Sequence, residues 1–324
     1  MARAIRIHEH GGPEVLRLEE VAVPPPAPGQ LRVRVTAAGV NFIDTYDRSG
    51  LYPLALPSGL GREAAGVVVE TGRGVRGFRA GDRVGWLAPR PGAYAEELLV
   101  DAAAAVPLPE GISDNVAAAA LLKGLTAWCL LRECRRLRRG EPLVVHAAAG
   151  GVGLILVQWA RLLGGEVIAV VGSEAKAVLV RAHGAAHVLV NPGDGLAARV
   201  RELTGGRGVP VVYDGVGKDT FFASLDCLAR RGLMVSYGNA SGVVPPFSPL
   251  ELLRRGSLFL TRPTLFDYIA RPADRKRGAR ELFAVLAGGA VKVLIGQSYA
   301  LTEAARAHAD LEARRTTGST ILLP

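Results

Sequence analysis

Seven consecutive residues, Ala147-Ala148-Ala149-Gly150-Gly151-Val152-Gly153, carry the strongest chemical signal in the chain. They follow an apolar run at 143–146 and lead directly into an amphipathic stretch at 152–163. In the frame Ala148-x-Gly150-x-x-Gly153, small residues let the backbone turn tightly and approach a pyrophosphate. Free amides and the dipole at the helix N-terminus then meet its charge. This is a dinucleotide fingerprint with alanine at the first glycine position, and its place between a strand and a helix gives it weight over a mere packing turn. Which dinucleotide binds is decided about 20 residues further on, where Asp or Glu would take a ribose 2′-hydroxyl and repel a 2′-phosphate. Here the strand runs into Ser173-Glu174-Ala175-Lys176. A hydroxyl at Ser173 and an ammonium at Lys176 suit a phosphate, Glu174 can face away on the first helical turn, and the pattern favours NADPH. The competing reading of Lys176 is an ordinary solvated helix lysine.

Other chemistries find less support. Of the six histidines, only His183 and His187 are four apart. Gly184 and the strand predicted from residue 187 break the single helix face that a zinc pair needs. No Gly-x-Ser-x-Gly elbow is present, and none of Cys129, Cys134 and Cys227 has an evident activating neighbour in sequence. What remains is hydride transfer, in which the protein orients a substrate beside a nucleotide. Polar groups for such a pocket concentrate in Asn41-Phe42-Ile43-Asp44-Thr45-Tyr46 and Gly50-Leu51-Tyr52-Pro53. Tyr46 and Tyr52 can donate O–H groups to a carbonyl oxygen that gains charge, or can simply pack.

These residues need elements to position them. The 324 residues are 49% hydrophobic and 21% charged, a globular composition with length for about two domains. Short alternating runs at 31–35, 66–69 and 82–85 read as strands of a β-rich domain in the first hundred residues. Apolar runs at 143–146, 167–171, 187–190, 209–213 and 233–237 alternate with helical segments at 152–163, 174–183, 196–203 and 219–230. That alternation predicts an α/β doubly wound parallel sheet buried on both faces. An edge strand at 257–261 and a strand-like tail at 319–323 follow, the tail returning to the first domain. Three cysteines cannot build a disulfide framework, and the apolar stretches, cut by charge or glycine, fall short of a membrane span. A reduced, cytoplasmic protein is expected. The net charge is +9, and only five of the 39 basic residues are lysine.

A family resemblance emerges from motifs in order along nearly the whole chain: NFIDTYDRSGLYP at 41–53, GREAAGVV at 61–68, AGDRV at 80–84, LLKGLTAW at 121–128, HAAAGGVGLILVQWA from 146, VVYDGVG at 211–217, LDCLARRGLMVSYGN at 225–239 and TRP at 261–263. Together they resemble the zinc-free, ζ-crystallin-like quinone oxidoreductases of the medium-chain dehydrogenase/reductase superfamily. The resemblance implies a Rossmann domain (123–262) inserted in a GroES-like catalytic domain (1–122 and 263–324), a homodimer, NADPH as cofactor without metal, and a quinone or related small molecule as acceptor. Reduction would proceed by hydride or single-electron transfer.

The resemblance also implies residue roles. Asn41 and Asp44 lie beside the nicotinamide, and Lys123 and Thr126 begin a helix bordering the cofactor. Gly150, Gly151, Val152 and Gly153 hold the pyrophosphate, and Ser173 and Lys176 the 2′-phosphate. Val216, Tyr237, Gly238, Asn239 and Arg262 line the cofactor, Arg314 stands near the phosphate-bearing ribose, and Tyr46 and Tyr52 face the substrate. Where zinc-dependent relatives read Gly-His-Glu, this chain reads Gly61-Arg62-Glu63. The stretch Val190-Asn191-Pro192 departs from the family pattern, which places a tyrosine near the adenosine.

Two rival functions stand beside this one. Reduction of activated C=C bonds in enals or enones uses the same geometry. RNA binding is suggested by Arg135-Arg136-Leu137-Arg138-Arg139 and Arg275-Lys276-Arg277, but these runs carry no interleaved aromatics for base stacking and read as solvated helix faces.

Overall fold

The computed structural model describes residues 1–324. The chain divides into two compact units, one of Met1–Leu125, Ile269–Ala287 and Val293–Pro324, the other of Thr126–Tyr268 and Gly288–Lys292.

The first unit begins with β1 (Ala2–Ile7), β2 (Arg17–Val21) and β3 (Gln30–Val40), followed by helix α1 (Phe42–Ser49). β4 (Ser58–Gly59), β5 (Glu63–Thr71), β6 (Arg83–Leu87), β7 (Glu97–Asp101), β8 (Ala105–Pro107) and helix α2 (Asp114–Trp128) complete its N-terminal part. Val33 and Val35 alternate with arginines along β3, so one face enters the core while the arginines stay outside. α1 starts where the Asp44 carboxylate accepts from the Asn41 backbone N–H at 2.8 Å, a capping-box contact. It ends at Gly50, whose φ of +78° is easily reached only by glycine.

The second unit repeats strand and helix: β9 (Pro142–Val145), α3 (Gly151–Leu162), β10 (Glu166–Val171), α4 (Glu174–Ala182), β11 (His187–Val190), α5 (Leu196–Leu203), β12 (Val209–Asp214), α6 (Phe221–Asp226), β13 (Leu228–Ser236), α7 (Leu250–Arg254), β14 (Phe259–Thr261) and α8 (Leu265–Tyr268). Its six strands are all parallel in the order β11-β10-β9-β12-β13-β14. That is the Rossmann order, which reverses direction at β9 and leaves a crevice beyond the C-terminal ends of β9 and β12. Val144, Ile168, Val212 and Met234 fill the layer between sheet and helices.

The chain then returns to the first unit through α9 (Pro272–Ala287), β15 (Ile295–Ala300), α10 (Ala304–Glu312) and β16 (Ser319–Leu323). β16 pairs antiparallel with β3, opposing Thr320 to Val40, so the tail closes a seven-stranded sheet begun 280 residues earlier.

Three expectations need correction. The helix predicted at 219–230 is only Phe221–Asp226, because the Cys227 carbonyl accepts from Val209 N–H at 2.9 Å and Leu228 pairs with Val209. The sheet takes the backbone groups that would have continued the helix. The arginine run at 135–139 is an irregular loop and not a helix face: Leu137 is buried, and Arg135 bonds Glu141 at 2.7 Å. Finally, one apolar stretch does reach the length of a membrane span. The continuous helical segment Asp114–Cys134 has 21 residues, and an 18-residue stretch of it has a mean hydropathy of 1.2 but is 72% buried inside the protein.

Candidate functional site

In the second unit the fingerprint loop lies at the C-terminal end of β9. Ala147 turns with φ +48°, Gly150 N–H donates to the Ala147 carbonyl at 2.9 Å, and Gly150 is the N-cap of α3. No side chain caps that helix, leaving the amides of Gly151, Val152 and Gly153 without an intrahelical or capping acceptor. A Cβ on Gly153 would stand 2.4 Å from the Ala147 carbonyl oxygen, so only glycine lets α3 start this close to the strand end. One crossover later, Ser173 caps α4 by accepting from Lys176 N–H at 3.3 Å, which places the hydroxyl and the lysine on the same first turn. Glu174 is exposed and turned toward Arg181. At the end of β11, Asn191 (φ +42°) donates its side-chain amide to the Gly172 carbonyl at 2.9 Å, bracing the approach to Ser173.

On the other side of the switch point, Asp214 ends β12 fully buried. One carboxylate oxygen accepts from Val216 N–H at 2.7 Å and Gly217 N–H at 3.2 Å; the other accepts from Thr220 and Ser224 hydroxyls. Ser224 in turn bonds His146 Nε2 at 2.9 Å, and burial pushes His146 below its ordinary value. The network fixes the Val216–Gly217 turn. Against it lies the loop of Tyr237 and Gly238: a Cβ on Gly215 would meet the Tyr237 ring at 2.8 Å, and one on Gly238 would meet the Gly215 carbonyl at 2.3 Å. Asn239, with its amide turned so that both ends are satisfied, accepts from the Arg262 guanidinium at 3.3 Å. Val216, Tyr237, Gly238, Asn239 and Arg262 thus belong to one neighbourhood.

The candidate residues of the first unit centre on Glu63, a fully buried carboxylate at the head of β5. Its Oε1 accepts from Asn41 Nδ2 at 2.8 Å and from Lys123 Nζ at 2.7 Å, and its Oε2 from Leu122 N–H at 2.6 Å. Lys123 is only 5% exposed. It anchors Glu63, which in turn holds the Asn41 amide. Lys123 and Thr126 do not begin a helix, because α2 starts at Asp114 and both lie in its last turns. Asp44 is fully buried, and Oδ2 accepts from Asn41 N–H and from the Tyr94 hydroxyl, each at 2.8 Å. It positions the Asn41 backbone.

Burial, then the neighbouring Asp47, pushes Asp44 up to about 7. Behind it, Tyr94 contacts His308 Nε2 at 3.2 Å, and His308 Nδ1 accepts from Arg48 at 3.1 Å. Burial, with the Arg48 charge beside it, pushes His308 down to about 3. Arg62 forms a two-pronged buried pair with Asp47 of α1, at 2.6 and 2.8 Å. No group of three or more His, Cys, Asp or Glu could hold a metal ion. Tyr46 is buried and Tyr52 half-buried, their rings 5.2 Å apart edge to face. Arg314, exposed, follows α10 with φ +59°. Sequence reasoning missed Glu63, Asp214, Tyr94 and the role of His308; for the first two, a lone carboxylate in or ending an apolar strand is the available signal, since buried charge requires partners.

Comparison with known proteins defines the class and then the family. Residues 27–110 match the alcohol dehydrogenase GroES-like domain, and residues 151–297 the zinc-binding dehydrogenase domain. The quinone oxidoreductase of Pseudomonas aeruginosa is 50% identical over 325 aligned residues, covering all of both chains. The crystal structure of Escherichia coli quinone oxidoreductase complexed with NADPH superposes with a TM-score of 0.98 at 48% identity, again covering both chains fully. A 2-haloacrylate reductase from Burkholderia sp. is 45% identical over 100% of this chain and 99% of its own. The chain belongs to the quinone oxidoreductase family of the medium-chain dehydrogenase/reductase superfamily.

Proposed function

We infer that the chain is an NADPH:quinone oxidoreductase that works without zinc. The observation that carries this reading is its end-to-end likeness, in sequence and backbone, to a quinone oxidoreductase solved with NADPH. The residues of the second unit fit that cofactor. The uncapped start of α3 at Gly150, Gly151, Val152 and Gly153 would hold the pyrophosphate. Ser173 accepts from an amide, which leaves its hydroxyl hydrogen for a phosphate oxygen, with Lys176 three residues on supplying charge. Thr126, Val216, Tyr237, Gly238, Asn239 and Arg262 would line the rest, and Arg314 remains assigned to the phosphate-bearing ribose. Because Asn191-Pro192 offers no ring for the adenine, cofactor choice falls to Ser173 and Lys176.

When bound, NADPH supplies the reducing equivalents, as hydride or as single electrons. The side chains orient and protonate. Asn41, locked by Glu63 and Asp44, presents a fixed amide to the nicotinamide end, while Lys123 acts only through Glu63. Tyr46 and Tyr52 are the candidate O–H donors to the acceptor oxygen. The working unit is read as a cytoplasmic homodimer with a small-molecule acceptor and no membrane or nucleic-acid partner. The ion-paired Arg135 and the buried Leu137 weaken the case for RNA.

A second reading, reduction of activated C=C bonds, is favoured by the 45% identical 2-haloacrylate reductase. The test follows nicotinamide absorbance with NADPH and NADH in turn, with EDTA present and 1,4-benzoquinone, 9,10-phenanthrenequinone or a 2-alkenal as acceptor. The quinones should dominate kcat/KM, NADPH should be preferred, and EDTA should have no effect. A dominant rate on the alkenal would replace the first reading by the second.

A further inference from the structure

None of the three cysteines is in a disulfide, and two of them meet. Cys129 and Cys134 are five residues apart, a spacing that in an α-helix does not bring side chains together. Here α2 continues into a π-helical turn, Cys129–Cys134, whose i to i+5 pattern includes Arg135 N–H donating to the Leu130 carbonyl at 3.4 Å. The turn stacks the two sulfurs 3.8 Å apart. π-turns are rare and recur at functional sites. Cys134 is half-buried and Cys129 buried, with the Tyr268 hydroxyl 3.5 Å from Cys134 Sγ.

Their surroundings make the two sulfurs unequal, since Cys134 is the less buried and also touches the Tyr268 hydroxyl. As a thiol Cys134 donates to the Tyr268 oxygen; as a thiolate it would accept from both the Cys129 S–H and the Tyr268 O–H. That contact with Cys129 lowers Cys134 to about 7, against the opposing effects of burial and of Glu133. The same contact, with burial, pushes Cys129 far up. Both directions favour Cys134, the more accessible sulfur, as the one that ionises first. Cys227, by contrast, is buried and pushed up to about 12.

We propose that Cys134 and Cys129 form a reversible redox site toward hydroperoxides, with Cys134 the reacting thiol and Cys129 the resolving thiol. The Cys134 thiolate attacks the terminal peroxide oxygen; an S–O bond forms, the O–O bond breaks, and the departing alkoxide or hydroxide takes a proton. Cys134 becomes a sulfenic acid, oxidised by two electrons. Cys129 then attacks that sulfur, the S–O bond breaks, and the thiol proton leaves with hydroxide as water. The net change joins two thiols into a disulfide and converts ROOH to ROH and water. Oxidation of Cys134 removes the charge that held the Cys129 proton in place, so the first step prepares the second. A dithiol reductant reverses the bond.

The test treats the full-length protein with hydrogen peroxide, removes the peroxide, unfolds the protein in guanidinium chloride so that buried thiols are reachable, blocks remaining thiols with N-ethylmaleimide, and maps peptides by mass spectrometry. The expected product has lost the mass of two hydrogens, links Cys129 to Cys134, leaves Cys227 alkylated, and returns to three thiols with dithiothreitol. Cys134→Ala should slow thiol loss about tenfold or more, and Cys129→Ser should accumulate a dimedone-reactive sulfenic acid at Cys134. Circular dichroism verifies that each variant is folded, and the wild-type peptide map decides the matter if one is not. The proposal is overturned if Cys134 passes to sulfinic acid while Cys129 stays alkylated, if Cys227 oxidises first, or if all three thiols persist.

Discussion

Replacing Lys123 by Met keeps the length of the side chain and removes its charge from a place water scarcely reaches. Lys123 is 5% exposed and Glu63 fully buried, so the variant leaves a carboxylate inside the first unit without its counter-ion. Breaking a buried pair from one side costs roughly 3–5 kcal/mol. The two donors that remain on Glu63, from Asn41 and Leu122, favour the lower end, about 3 kcal/mol. For a unit of this size each kcal/mol moves Tm by roughly 2–4 °C, giving a fall of about 6–12 °C in thermal unfolding without nucleotide. Lys123→Met with Glu63→Gln removes both charges and should recover about half of the loss as a coupling energy. A single variant within about 1 kcal/mol of the parent, or a strictly additive double variant, would refute the argument that this pair is desolvated and holds Asn41 through Glu63.

Lys176→Ala should raise KM for NADPH by roughly 10- to 100-fold, the worth of one charge-assisted contact, with little change for NADH; equal changes would remove the phosphate assignment. Tyr46→Phe and Tyr52→Phe separate proton donation from packing. A drop in kcat of about tenfold or more in either marks the donor, whereas unchanged kcat in both returns the pair to edge-to-face packing. Asp44→Asn gives a pH signature. A carboxyl that ionises near 4 unfolded and at about 7 folded destabilises the fold above pH 7 and not below pH 4. The variant should therefore be more stable than the parent by up to about 4 kcal/mol at pH 8, with the gap closing toward pH 4. A gap independent of pH in chemical denaturation would show that Asp44 is ionised throughout.

The nucleotide unit was the more legible half. Its strands are apolar on both faces and its fingerprint is local, so Ala147 to Gly153 and Ser173 with Lys176 could be read in order along the chain. The first unit was harder, because its site is assembled from distant segments. Asn41, Glu63 and Lys123 meet across 82 residues, and Tyr94 and His308 across 214. No period or spacing records such contacts. The bonding of Asp44 was hidden for a related reason: a polar residue on an amphipathic helix reads as available, and only the fold shows its carboxylate turned inward. The helix predicted at 219–230 failed where the sheet claimed the backbone of Cys227 and Leu228. Cys134 went unnoticed because a spacing of five becomes a contact only in a π-turn.

The Arg62–Asp47 pair has an evolutionary consequence. Arg62 stands at the position that the family pattern gives to a histidine in zinc-dependent relatives. A single Arg62→His exchange would leave the Asp47 carboxylate stranded in the interior, with both of its guanidinium bonds gone. Losing the fold would precede gaining a ligand. A path that changes Arg62 alone therefore passes through a destabilised intermediate. Changing Asp47 alone would strand the buried guanidinium in the same way, so only a paired exchange keeps the interior charges matched and the two positions are bound to vary as one.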